Sequence, residues 1–163
     1  MAKLTLCRID DRLIHGQIIV KWSKSVPVDR ILIVDDKFAK DPFMVSLYKA
    51  TAPKHLKFSM LSLSDTAEKW KAGFFKEENI LLLTRTVDVM KGLIEADIPI
   101  DEVNVGGIAS KASSVVVAGS ISITKDDVEG LKAIEDRGKH VYFKMTPEDA
   151  GMELSTVINK YFK

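Results

Sequence analysis

Short apolar runs alternate with helix-period segments along nearly the whole chain. Lys3 to Ile9 carries β-favouring residues on both faces and ends at Asp10, while Arg30 to Val34 and Asn79 to Leu83 are continuous apolar runs of the kind buried within a parallel sheet. Lys57 to Leu61, Glu102 to Val105 and His140 to Met145 predict further strands. Val115 to Ile123 supplies strand material broken by Gly119. Between these runs, Ile18, Ile19 and Trp22 recur at helical spacing over Gly16 to Lys24, closed by Pro27. Asp41 and Pro42 form a helix-start pair for a segment reaching about Ala50, and Pro53 marks its end. Ser64 and Asp65 open a helix through Trp70 that stops at Gly73. Thr86 caps a helix in which Val87, Met90, Leu93 and Ile94 share a face. Ile108 to Ser114 is small and polar and reads as a loop. Thr124 to Asp127 resembles a capping box and starts a helix ended by Gly138, and Leu154 to Tyr161 predicts a last one.

Strands alternating with helices imply right-handed crossovers. The expected fold is therefore α/β: one domain over residues 1–163, an open, mainly parallel β-sheet with helices on both faces. The 163 residues suffice for a substantial core without cross-links. Cys7 is the only cysteine, which excludes an internal disulfide and suits a reducing compartment. With 24 basic and 23 acidic residues the net charge is +1, which argues against a nucleic-acid binder relying on a general positive field. No targeting segment is visible and no apolar run approaches the roughly 20 residues needed to cross a bilayer, so the chain is expected in the cytosol, attached to a membrane only through a partner.

The chemistry concentrates between the first strand and the first helix. Arg8, Asp10, Asp11, Arg12, His15, Gly16 and Gln17 fall within ten residues, where the backbone turns from strand into helix. A helix N-terminus facing the crevice beyond a strand's carboxyl end offers oriented N–H donors to an anion. His15 is placed where the positive end of the helix dipole disfavours imidazolium, leaving a neutral imidazole as nucleophile. Arg12 can meet an oxyanion with a planar fork of donors. One of Asp10 and Asp11 is expected to accept the second ring N–H of His15, and the other to anchor Arg12. Phosphate-binding candidates are Arg12 and the backbone around Ile14, Gly16 and Gln17. Thr84, with Arg85 beside it at another strand's carboxyl end, joins them if the two strands are neighbours.

The same residues could instead form a helix-capping histidine beside a surface ion-pair network. Gly106 and Gly107 read as a structural turn, lacking the spacing of dinucleotide and P-loop motifs. Trp22 reads as core, His55 as a surface turn and His140 as a strand start. His15, His55 and His140 are far apart, so no metal site is expected. Nor is there a Gly-x-Ser-x-Gly elbow.

The segment from Arg8 to Gln17, followed by Trp22, resembles the phosphorylation-site segment of the IIB components of the mannose/fructose/sorbose family of the bacterial phosphoenolpyruvate-dependent sugar phosphotransferase system. Ile33 to Asp36 with Ala39 to Asp41, Ala52-Pro53, Val103 to Gly107 and Val141 to Phe143 extend the resemblance nearly end to end. Departures are Ile108 in place of a methionine after the paired glycines, and the small-residue loop from Ser110 to Ser114. The resemblance implies the fold already expected, with a phosphorylated histidine in the loop after the first strand. It also implies phosphoryl on Nδ1 of His15, a carboxylate on Nε2, and no cofactor. The implied partners are a phosphorylated IIA protein or domain, the IIC/IID permease and its sugar, and self-association is left open. Rival readings are a non-catalytic phosphometabolite-binding regulatory domain and a histidine-dependent phosphatase.

Overall fold

Alternation along the strands sets the layers of the molecule. In the computed structural model, which describes residues 1–163, β1 (Lys3–Asp10) directs Cys7 and Ile9 to one face of the sheet and Leu6 to the other. The elements that follow are α1 (Gly16–Ser25), β2 (Arg30–Val34), α2 (Asp36–Ala39), α3 (Pro42–Thr51), β3 (Lys57–Leu61), α4 (Leu63–Lys71), β4 (Asn79–Thr84), α5 (Val87–Glu95), β5 (Glu102–Gly107), β6 (Val115–Ala118), β7 (Ile121–Ile123), α6 (Lys125–Asp136), β8 (His140–Phe143), β9 (Met152–Glu153) and α7 (Leu154–Tyr161). The sheet runs β3-β2-β4-β1-β5-β8-β9, parallel except for the β8–β9 pair, and β6 with β7 forms a separate hairpin.

Helices α5, α6 and α7 pack the larger core against Cys7, Ile9, Leu32, Leu82, Val105 and Val141. On the opposite face, α1 and the α3 segment cover a smaller core in which Ile19 and Trp22 meet Leu6, Ile31, Ile33, Leu81 and Leu83. Full burial of each such side chain stabilises by about 1.5–3 kcal/mol. The continuous apolar runs of β2 and β4 follow from this, since both faces of those strands are covered. Burial also pushes the Cys7 thiol up from its ordinary range and leaves it inert.

The structure refines several boundaries. One turn of helix, α2, follows β2 because the Asp35 carboxylate accepts the Phe38 amide at 2.8 Å. Helix α4 starts at Leu63, one residue before the predicted pair, because Ser62 is its cap. The last predicted strand ends at Phe143: Asp149 accepts the Met145 and Thr146 amides at 2.9 and 3.1 Å, turning the chain into β9. No helix is long and apolar enough to cross a membrane.

What positions the site is the order β4-β1-β5. The chain leaves β1 toward β2 on one side, and later passes from β4 across to β5 on the other. Connections diverging around the carboxyl end of β1 open a crevice there.

Candidate functional site

The loop from Asp11 to His15 is held at both ends and in its middle. The Asp11 amide donates to the Gly107 carbonyl at 2.9 Å, and the Leu13 amide closes a turn onto the Asp10 carbonyl at 2.9 Å. Leu13 takes a left-handed conformation, φ 57°, costly for a branched side chain, while its side chain is fully buried in the smaller core. Ile14 is buried beside it. Between these anchors and α1, His15 is the N-cap in extended conformation, and Gly16 at φ 43° turns the chain into the helix.

Asp10 is the hub. It has no exposed surface, and its carboxylate accepts from Arg8 Nη2 at 3.1 Å, the Arg12 amide at 3.0 Å and Arg12 Nε at 3.2 Å. Nε2 of His15 lies 3.4 Å from Asp10 Oδ2, buried and with no hydrogen-bond partner. Nδ1 of the same ring has no protein partner and is not buried, and the side chain as a whole is 28% exposed. The ring therefore has one face toward a carboxylate and the other toward the crevice.

Behind Asp10 stands a fully buried Arg8. Its Nη1 donates to Asn104 Oδ1 at 2.6 Å and to the Lys144 carbonyl at 3.1 Å, and its guanidinium lies 5.5 Å from the Trp22 ring centre. Burial pulls the Arg8 pKa down, opposed by the charge and hydrogen bond of Asp10. The paired glycines of β5 make room: a Cβ on Gly106 would sit 1.9 Å from Arg8 Cζ, and one on Gly107 would sit 2.8 Å from Asp10 Oδ1.

At the mouth of the crevice, the amides of Ile14, His15, Gly16 and Gln17 have no hydrogen-bond partner in the protein. Side chains cap α2 through α6, but none caps α1. Arg12 is 41% exposed at its side chain and donates to Ser120 Oγ at 3.3 Å. An anion placed there would meet free amides, the helix dipole and one part-exposed guanidinium.

Of the predicted residues, the structure brings His15, Asp10, Arg12, Gly16 and Gln17 together, and Ile14 contributes backbone only. The expected division of labour between the two aspartates is different: Asp10 faces His15 and also binds both arginines, whereas Asp11 accepts the Ala109 amide at 2.6 Å and ties the loop to the segment after β5. Asp10 can do both because alternation turns it, with Arg8, onto the face over Gly107. Strand β4 does neighbour β1, with Ile9 opposite Thr84. Yet the Thr84 hydroxyl is fully buried and donates to the Thr86 carbonyl at 3.1 Å, so it is not presented to the crevice. Arg85 pairs with Asp35 at 2.6 Å and lies over the Phe38 ring at 3.9 Å. Trp22 is core, its indole N–H donating to the Met145 carbonyl at 3.0 Å. Gly106 and Gly107 close β5 rather than form a turn, because their backbone must lie under Arg8 and Asp10. The supporting roles of Arg8, Asn104 and Ser120 were not read from sequence; the one hint was Asn104, a polar residue in an apolar strand, two positions before Gly106. No cluster of side chains here could hold a metal ion.

Comparison with known proteins covers the whole length. A family model described as "PTS system sorbose subfamily IIB component" matches residues 4–163. The chain is 32% identical over 163 residues to the fructose-specific EIIB component of the phosphotransferase system (PTS) of Bacillus subtilis, covering all of both. It is 29% identical over 158 residues to the mannose-specific EIIAB component of Escherichia coli, 97% of this chain and 49% of that protein. A crystal structure of manxB from Thermoanaerobacter tengcongensis superposes with a TM-score of 0.94 at 34% identity, over 100% of this chain and 99% of that one.

Proposed function

The chain belongs to the sorbose subfamily of PTS IIB components, and we propose that it carries a phosphoryl group on Nδ1 of His15. The observation that carries this reading is the division of one ring: Nε2 is buried toward Asp10, and Nδ1 is open to the crevice. A neutral imidazole with its proton on Nε2 leaves the Nδ1 lone pair free for attack.

The donor is the phosphohistidine of a IIA protein or domain, a reading supported by the EIIAB name of the Escherichia coli relative. The Nδ1 lone pair attacks phosphorus in line, forming one P–N bond as the donor's P–N bond breaks and its ring leaves neutral. Positive charge develops on the His15 ring, and Asp10 stabilises it. Arg12 and the free amides of Ile14, Gly16 and Gln17 stabilise the equatorial oxygens. Transfer onward breaks the Nδ1–P bond as a sugar hydroxyl oxygen, held by the IIC/IID permease, takes the phosphoryl group; the hydroxyl proton is lost to water and the His15 ring leaves neutral with its proton on Nε2. The chain works as one IIB unit over residues 1–163, on the cytoplasmic side of the membrane and against that permease.

Incubation with IIA that carries an isotopically labelled phosphoryl group on its histidine tests this. The expected result is stoichiometric label on His15, labile to acid and stable to alkali, and absent from His15→Ala. Continuous release of inorganic phosphate would make the chain a hydrolase, and no label would make it a binding module.

A further inference from the structure

Helix α3 turns apolar residues to water alongside its polar ones. None of its ten residues is buried, although Val45 and Tyr48 pack inward on the smaller core. Its outward stripe, Phe43, Leu47 and Ala50 at helical spacing, is apolar as well. Phe43 is 72% and Leu47 43% exposed. A helix that packs one apolar stripe inward and exposes a second has a surface still to be covered.

The surroundings of the stripe say what kind of surface that is. Residues 36–57 carry five lysines and two aspartates in a chain whose net charge is only +1. Both aspartates are turned onto backbone amides, Asp36 accepting from Leu63 at 2.8 Å and Asp41 from Phe43 at 3.0 Å. Lys37, Lys40, Lys49 and Lys54 are exposed and pair with no carboxylate; Lys54 reaches only the Ala50 carbonyl. Ala50 is shared between the stripe and an open cleft of about 600 Å³ whose rim includes Arg30, Ser46, Lys49, Lys54 and Lys57 and no acidic residue. Glu78 holds Arg30 and Lys57 from behind, which leaves Lys49 and Lys54 uncompensated.

We propose that this face of α3 rests on an anionic lipid surface, with Phe43 and Leu47 in the interfacial layer and Lys49 and Lys54 among the headgroups. Unpaired lysines on flexible stems suit a diffuse field of phosphates, whereas a specific carboxylate would be met by a preorganised arginine fork. They also repel a second copy of the same face. Helix α3 begins beyond the carboxyl end of β2, the end of the sheet where His15 lies, and runs back to the amino ends of β2 and β3, where Arg30 and Lys57 line the cleft with Lys49 and Lys54. This surface is separate from the His15 site, and its test is independent of phosphoryl transfer.

Flotation of the intact chain with phosphatidylcholine vesicles, with and without phosphatidylglycerol, tests the proposal. Binding is expected only with phosphatidylglycerol, falling as salt is raised. Phe43→Ser with Leu47→Ser, and separately Lys49→Glu with Lys54→Glu, should each weaken binding at least about tenfold. Both variants should still take label on His15 at the wild-type rate. No flotation at low salt overturns the proposal, as does flotation that neither variant changes. Slower labelling from IIA in variants that float normally would make the face a protein-docking surface instead.

Discussion

Replacing Gly106 by alanine puts one methyl group into the plane where Arg8 lies. The new Cβ would be 1.9 Å from Arg8 Cζ and 2.0 and 2.3 Å from its two terminal nitrogens. Non-bonded carbons settle near 3.5 to 4.0 Å, so the guanidinium would have to retreat by roughly 1.5 Å. It has nowhere to go without loss, since Trp22 lies 5.5 Å away and Asn104, Asp10 and the Lys144 carbonyl hold its nitrogens. Retreat breaks hydrogen bonds within a buried ion pair, and loss of such a pair costs about 3–5 kcal/mol. That is a large part of the roughly 5–15 kcal/mol that holds a typical domain folded. A shift of about 1 Å in the carboxylate behind His15 should also slow phosphoryl uptake by about 100-fold. Urea denaturation reads the first effect, and the initial rate of label transfer from IIA reads the second. Gly138→Ala is the control, because φ is 84° there but nothing lies within 4 Å of the added carbon; strain alone should cost about 1 kcal/mol. If Gly106→Ala matched that control in stability and labelled at the wild-type rate, the account of Arg8 as a wedged support would be wrong.

Asp10→Asn leaves the buried Arg8 cation without its counter-charge and should cost about 3–5 kcal/mol in urea, with His15 labelling slowed more than binding of IIA; unchanged labelling would remove Asp10 from the mechanism. Leu13→Ala empties a fully buried site and should cost about 2–5 kcal/mol; a change under about 1 kcal/mol would mean the loop is not pinned there. The ring nitrogens of His140 lie 2.9 Å from Glu102 and 2.6 Å from Glu153, and these hydrogen bonds hold its pKa above the ordinary value. Its stabilisation is therefore complete below the unfolded value of about 6.5 and is lost as pH rises through the raised folded value. The melting temperature should fall with rising pH across that window in the wild type and less so in His140→Gln, and parallel slopes would refute the strut.

Much of this was legible in the order of residues because it depends on local periodicity. The continuous apolar runs at Arg30 to Val34 and Asn79 to Leu83 suit strands covered on both faces within a parallel sheet, and Asp41 with Pro42 marks a helix start by chemistry confined to neighbouring residues. The cluster from Arg8 to Gln17 is local too, since a strand-to-helix turn carrying His15 and Arg12 announces an anion site without help from the rest of the chain. Tertiary structure decided what contacts across long separations decide. Asp10 rather than Asp11 meets His15 because Gly107, nearly a hundred residues on, leaves space for its carboxylate. Arg8 is a support and not a surface charge because Asn104, Gly106 and Lys144 converge on it from two other strand ends. Thr84 sits beside the site in the sheet yet turns its hydroxyl away from it. Periodicity tells a side chain which face of its element it lies on, but only the packing of distant strands tells it what it touches there.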